Sequence, residues 1–94
     1  MAPSVDERAA SQRRIANRLK RARGQLDAVI AAVEDGAPCR DIVTQLSAVT
    51  HALNRAGFVV VASAMEDCIG DPEGSKARDG MTTEELEKLF LALA

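Results

Sequence analysis

The sequence predicts an all-α protein built from long helices that cannot cover themselves alone. Three observations carry this. Apolar residues recur at three- and four-residue steps along two long stretches: Ile15, Leu19, Ala22, Leu26, Val29 and Val33, then Ile42, Leu46, Val49, Leu53, Ala56 and Val60, with Ser63 continuing the second stripe. The apolar content is mainly Ala, Val, Leu and Ile, with two Phe and neither Trp nor Tyr, which suits helix-on-helix packing. Finally, 94 residues make one small domain, and a helix apolar round most of its girth must be covered by something. A second copy of the chain is the expected cover. The expected unit is therefore a single domain, 1–94, with a three-helix protomer (helices at about 5–35, 38–69 and 82–93) paired as an antiparallel dimer.

In chain order, Met1 to Val5 reads as a loose arm. Ser4 with Glu7 three residues on has the form of a capping box, so the first helix should begin there. Its seam steps by four, three, four, three and four, as in a coiled coil. Gly24 interrupts it at a cost of about 1 kcal/mol relative to Ala, which a close helix approach would explain. Asp35-Gly36 is the expected turn. Pro38 suits the first turn of the second helix, where its missing N–H has no partner in any case. Val59-Val60-Val61 alone suggests a strand, but the run is too short to overrule the helical period. Gly70-Asp71-Pro72 is a stop signal, and 70–80 reads as a polar loop. Thr82 or Thr83 can cap the third helix, whose apolar face is Leu86, Leu89, Phe90 and Leu93.

Charge is split along the chain. Between Arg8 and Arg23 lie seven basic residues and no acidic one, whereas Glu66 to Ala94 holds eight acidic residues against three basic. Arg14, Arg18, Arg21 and Gln25 form one stripe of the first helix. A solvated face is the bland reading, but such faces usually mix signs in i,i+4 pairs. The purity of sign favours contact with a polyanion. Without aromatic residues to stack on bases, duplex phosphates suit this stripe better than single strands.

Cys39 and Cys68 are the only cysteines. On one helix they stand about 44 Å apart, whereas bridged Cα atoms lie within about 7 Å. The two thiols of one chain cannot meet. In an antiparallel pair of such helices, Cys39 of one chain lies beside Cys68 of the other, and two-fold symmetry repeats the pair. The thiols are either buried, inert small side chains or a reactive or metal-binding pair. No stretch is long and apolar enough for a membrane span, and the start lacks an apolar signal core; no membrane partner and a cytoplasmic location are expected. His51 is the only histidine and lies twelve residues from Cys39. There is no nucleophile–base motif, no glycine-rich phosphate loop and no CxxC, so no catalytic residues and no enzyme are expected.

The run Asn17-Arg18-Leu19-Lys20-Arg21-Ala22-Arg23-Gly24-Gln25-Leu26-Asp27, then Cys39, Gln45-Leu46-Ser47-Ala48-Val49, Ala52-Leu53-Asn54-Arg55-Ala56 and Cys68, resembles the CsoR/RcnR/FrmR group of bacterial repressors. The resemblance implies three helices, an antiparallel dimer assembled into a disc-shaped tetramer, and operator DNA bound without a helix-turn-helix. It also implies that Arg18 and Arg55 contact duplex DNA, assisted by Arg14, Lys20 and Arg21. Copper sensors of this group use Cys, His and Cys, the His four residues before the second Cys. Here that place holds Ala64, and Pro38 stands where an aromatic residue usually precedes the first Cys. Nickel and cobalt sensors need several histidines, and formaldehyde sensors usually lack the second Cys. The pattern is thus similar to the persulfide-sensing CstR-like branch, in which the two cysteines of opposite subunits join through bridging sulfurs. Sulfane sulfur is then the expected inducer, with no cofactor and no metal. Arg40 and the helix N-terminus would favour the Cys39 thiolate as attacking group, leaving Cys68 to resolve. The alternatives are a Cu(I)-responsive repressor using Cys39 and Cys68 as its two ligands, and a helical assembly protein with no sensing role.

Overall fold

The computed structural model describes residues 4–94, side chains at 75 and 77–79 excepted. It is all-α, with four helices in chain order: α1 (Val5–Glu34), α2 (Cys39–Gly70), α3 (Pro72–Asp79) and α4 (Thr83–Leu93). Three helices were expected, so the structure adds one. Every other helix packs against α2.

The ends of α1 are set locally. Ser4 accepts the Glu7 N–H at 3.1 Å, as the capping pattern requires. Of the expected loose arm, positions 1–3 lie outside the described residues, while Ser4 is the cap and Val5 is already helical. Gly36, at φ 70°, adopts the left-handed conformation that ends α1 and turns the chain back. Pro38 sits at the N-cap of α2, one place before the first helical residue, which is Cys39.

α1 and α2 form an antiparallel hairpin. Its register is fixed at the open end by Ser11 and Ser63, whose hydroxyls are 2.8 Å apart, and by Arg8, whose Nε is 3.7 Å from Asp67. The buried residues are small: Ala22 and Val29 on α1, Val49 and Ala56 on α2. Small side chains let two helices approach closely, at the expense of apolar area. The larger members of both stripes remain outside this core. Leu19, Leu26, Ile30 and Val33 of α1, with Val43, Leu46, Leu53 and Val60 of α2, are 40–57% exposed. The expected stripe on α2 is therefore divided: Val49 and Ala56 face α1, and Leu46, Leu53 and Val60 remain uncovered.

Residues 72–79, expected as polar loop, are helix α3. Asp71 accepts the Gly74 N–H at 3.2 Å, Pro72 occupies the first turn, and Gly80 closes the helix at φ 65°. The signals that usually punctuate a loop here cap a short helix at both ends. α4 is capped by Thr82, which accepts the Glu85 N–H at 3.3 Å. It lies on α2, where Leu86 is 2% exposed and the rings of Phe90 and Phe58 are 5.3 Å apart at 49°. Within the protomer no close helix approach accounts for Gly24: nothing stands within 4 Å of a Cβ placed there. It occurs instead at Gly57, where a Cβ would meet the Leu93 methyls at 2.9 Å. Replacing Leu86 by Ala should destabilise the fold by about 2–4 kcal/mol through the cavity left beneath α4. Urea melts of both proteins at equal protomer concentration measure this.

Candidate thiol site and nucleic-acid interface

The two cysteines occupy opposite ends of α2. Cys39 is its first residue and is exposed; Cys68 lies in the last turn and is half-buried; neither forms a disulfide. The helix is continuous between them, so the ~44 Å separation given by its rise stands, and the protomer is 52 Å along its longest axis. A single chain thus presents two separate thiols. Cys68 has a partner that the sequence did not suggest: its Sγ is 3.4 Å from Thr83 Oγ1, at the start of α4.

Donors other than sulfur do not gather at either end. Among the described residues, no three His, Cys, Asp or Glu side chains are grouped so as to hold a metal ion. Ala64 lines a cleft of about 540 Å³ between α1 and α2, with Ser11, Ser63, Glu66 and Asp67; it contributes no donor atom. His51 is exposed in mid-helix, on a shallow recess with Asn54, Arg55 and Phe58.

The basic residues separate into two groups. Arg8 is structural: besides Asp67, it approaches Asp71 at 3.8 Å and ties the start of α1 to the end of α2. Arg14, Arg18, Lys20, Arg21 and Arg55 are all exposed, and no ion pair engages them among the described residues. The hairpin register that joins Ser11 to Ser63 also brings residue 18 level with residue 55 across the two helices. Two arginines 37 positions apart in sequence therefore share one level near the middle of the hairpin, well away from both thiols. No helix among the described residues is long and apolar enough to cross a membrane.

Residues 11–92 match the family model described as metal-sensitive transcriptional repressor. The chain belongs to this family. It is 43% identical over 67 residues to the copper-sensing transcriptional repressor CsoR of Mycobacterium ulcerans, covering 67% of this chain and 57% of that protein. Against CsoR of Mycobacterium bovis it is 34% identical over 87 residues, 93% of this chain and 70% of the relative. The copper-sensing repressor RicR of Mycobacterium tuberculosis is 32% identical over 71 residues, 73% of this chain and 74% of its own. No solved structure matches the chain significantly.

Membership in the metal-sensitive repressor family agrees with the CsoR/RcnR/FrmR resemblance and with a non-enzymatic role. It corrects another expectation. The sequence reading assigned no cofactor, and the relatives' names contradict that, since all three are copper-sensing. Nor do those names support the CstR-like branch. The expectation rested on Ala64 and Pro38 replacing the usual His and aromatic residue, which leaves two ligands rather than three, with two-thiolate Cu(I) as its alternative. Soft Cu(I) suits thiolate ligands, so a chain that keeps both cysteines keeps the donors that matter most for that ion.

Proposed function

We propose that the chain is a DNA-binding repressor released from its operator by Cu(I), held between Cys39 of one protomer and Cys68 of an antiparallel second protomer. The observation that carries this is the placing of the only two thiols at opposite ends of one continuous helix, in a family whose relatives described above are named copper-sensing. Cu(I) would supply a soft, low-coordinate link between two thiolates. The chain's own residues do the rest. The uncovered stripe Leu46, Leu53 and Val60 brings the second copy against α2, and the antiparallel arrangement makes both thiol pairs equivalent. A disc-shaped tetramer of two such dimers is the larger assembly this reading adopts. Arg18 and Arg55 grip duplex phosphates, with Arg14, Lys20 and Arg21 beside them on α1, and all of this takes place in the cytoplasm, where the operator is.

The experiment is fluorescence anisotropy with labelled operator duplex. Wild type binds, and affinity falls steeply as salt rises because each phosphate contact releases counterions. Arg18→Ala and Arg55→Ala each weaken binding by about tenfold, with the helical circular dichroism spectrum unchanged. Cu(I) releases the wild-type complex, whereas an inorganic polysulfide does not. Release by polysulfide with Cu(I) inert would return the same thiol pair to the sulfane-sulfur reading that Ala64 motivates. Unimpaired binding by both arginine variants would remove those residues from the interface.

A further inference from the structure

We propose that the recess on α2 lined by His51, Asn54, Arg55 and Phe58 seats one backbone phosphate of duplex DNA, with His51 and Asn54 donating to it beside Arg55. The seat rests on the DNA-binding reading above and adds two residues that a search for basic side chains passes over. The four residues stand at i, i+3, i+4 and i+7 of one helix, so they share a face and border one opening. His51 and Arg55 are exposed, while Asn54 and Phe58 are half-buried. That face is turned away from the uncovered apolar stripe. His51 lies two positions before Leu53 and Arg55 two positions after it, each about 200° round the helix. A second copy seated on the stripe therefore leaves the recess open.

The polar groups of the recess are all available. Among the described residues, no hydrogen bond or ion pair engages His51, Asn54 or Arg55, and no carboxylate lines the recess. Arg8 shows the contrast, since Asp67 and Asp71 already hold it. Donors dominate the set. A carboxamide has two N–H groups, a guanidinium five, and an imidazole at least one in either charge state, so the seat does not depend on titration of His51. A phosphate oxygen accepts from all three, and its charge strengthens each bond. His51 and Arg55 are one turn apart, about 6 Å of rise, which their long side chains can close on a single group. The Phe58 ring is backed by Phe90 at 5.3 Å, so α4 supports that side of the recess from behind. Arg18 stands level with it on α1, which places charge for a neighbouring phosphate.

The test is fluorescence anisotropy on the full chain, with operator duplex and a random duplex of equal length. Asn54→Ala weakens binding to both by about tenfold and shifts the whole salt curve without changing its slope, because a neutral amide releases no counterion. Arg55→Ala also flattens that slope by about one. Asn54→Asp, of the same shape but with charge that repels phosphate, binds more weakly than Asn54→Ala. His51→Ala loses about fivefold and His51→Gln, which keeps an N–H donor, recovers it. Release by Cu(I) keeps its wild-type midpoint in all of them, and circular dichroism stays helical. Wild-type affinity in His51→Ala and Asn54→Ala, or Asn54→Asp binding as well as Asn54→Ala, would overturn the seat. So would a loss confined to the operator, which would mark a base contact, or saturation of the recess by micromolar inorganic phosphate, which would make the free anion its occupant. A wild type that binds neither duplex would remove the DNA reading alone. The anion seat is then decided by NMR of the Asn54 side-chain amide, which millimolar pyrophosphate shifts in wild type but not in Arg55→Ala; no shift in wild type would overturn it.

Discussion

Serine at either Cys39 or Cys68 abolishes release of DNA by Cu(I), while DNA affinity in the absence of copper stays within about threefold of wild type. The second half of this expectation follows from position. Both thiols lie at the ends of α2, far from the level that Arg18 and Arg55 share, so the substitutions leave the basic surface alone. The first half follows from ligand number. With two thiolates and, among the described residues, no group of three His, Cys, Asp or Glu side chains placed to hold a metal, losing one sulfur leaves a single soft ligand. Reversing a 99:1 population needs about 5.5 kcal/mol of preference between the two states, and one thiolate in water does not provide it. A mixing experiment locates the site. Cys39→Ser and Cys68→Ser chains, co-refolded, form heterodimers in which one Cys39–Cys68 pair is intact and the other is entirely serine. These should bind about half the wild-type copper and recover part of the response. No recovery on mixing would show that the two thiols do not come from different chains.

Leu53→Asp dissociates the assembly and lowers its melting temperature, whereas Leu53→Ala retains the dimer with weaker affinity. Leu53 is 46% exposed in the protomer, between Leu46 and Val60 on the same uncovered stripe. In the isolated chain a carboxylate there faces water at little cost. Across a two-fold axis it enters the interface twice, and each buried, unpaired charge costs several kcal/mol. That is a large part of what a micromolar association provides, about 8 kcal/mol. Sedimentation of wild type and both variants at micromolar concentration decides the matter; a wild type that runs as a stable monomer would end the shared thiol site with it.

These expectations draw unequally on the sequence. Both long helices and α4 were legible because their stripes repeat and their end signals are local: Ser4 and Gly36 at the two ends of α1 and Thr82 at the start of α4 act within a few residues of themselves. The impossibility of a thiol pair within one chain was equally legible, since it needs only the rise of a helix. α3 was missed because 72–79 carries no apolar stripe, and its evidence lies entirely in Asp71, Pro72 and Gly80, which also serve loops. The sulfane-sulfur expectation rested on Ala64 and Pro38 standing where a His and an aromatic residue are usual, and the copper-sensing relatives do not support it.

What the sequence determined by itself is therefore periodic or local: two long amphipathic helices, their ends, a run of basic charge without acid, and thiols too far apart to meet. Tertiary structure alone decided which charges are engaged, because pairing depends on neighbours brought from elsewhere in the chain. Arg8 leaves the basic run to meet Asp67 and Asp71, while Arg18 and Arg55 are brought level. It also decided that Gly57 rather than Gly24 marks the close approach, and that Thr83 stands at Cys68. Each of these depends on where α4 and the hairpin register place side chains distant in sequence, and no period or cap encodes a distance between helices.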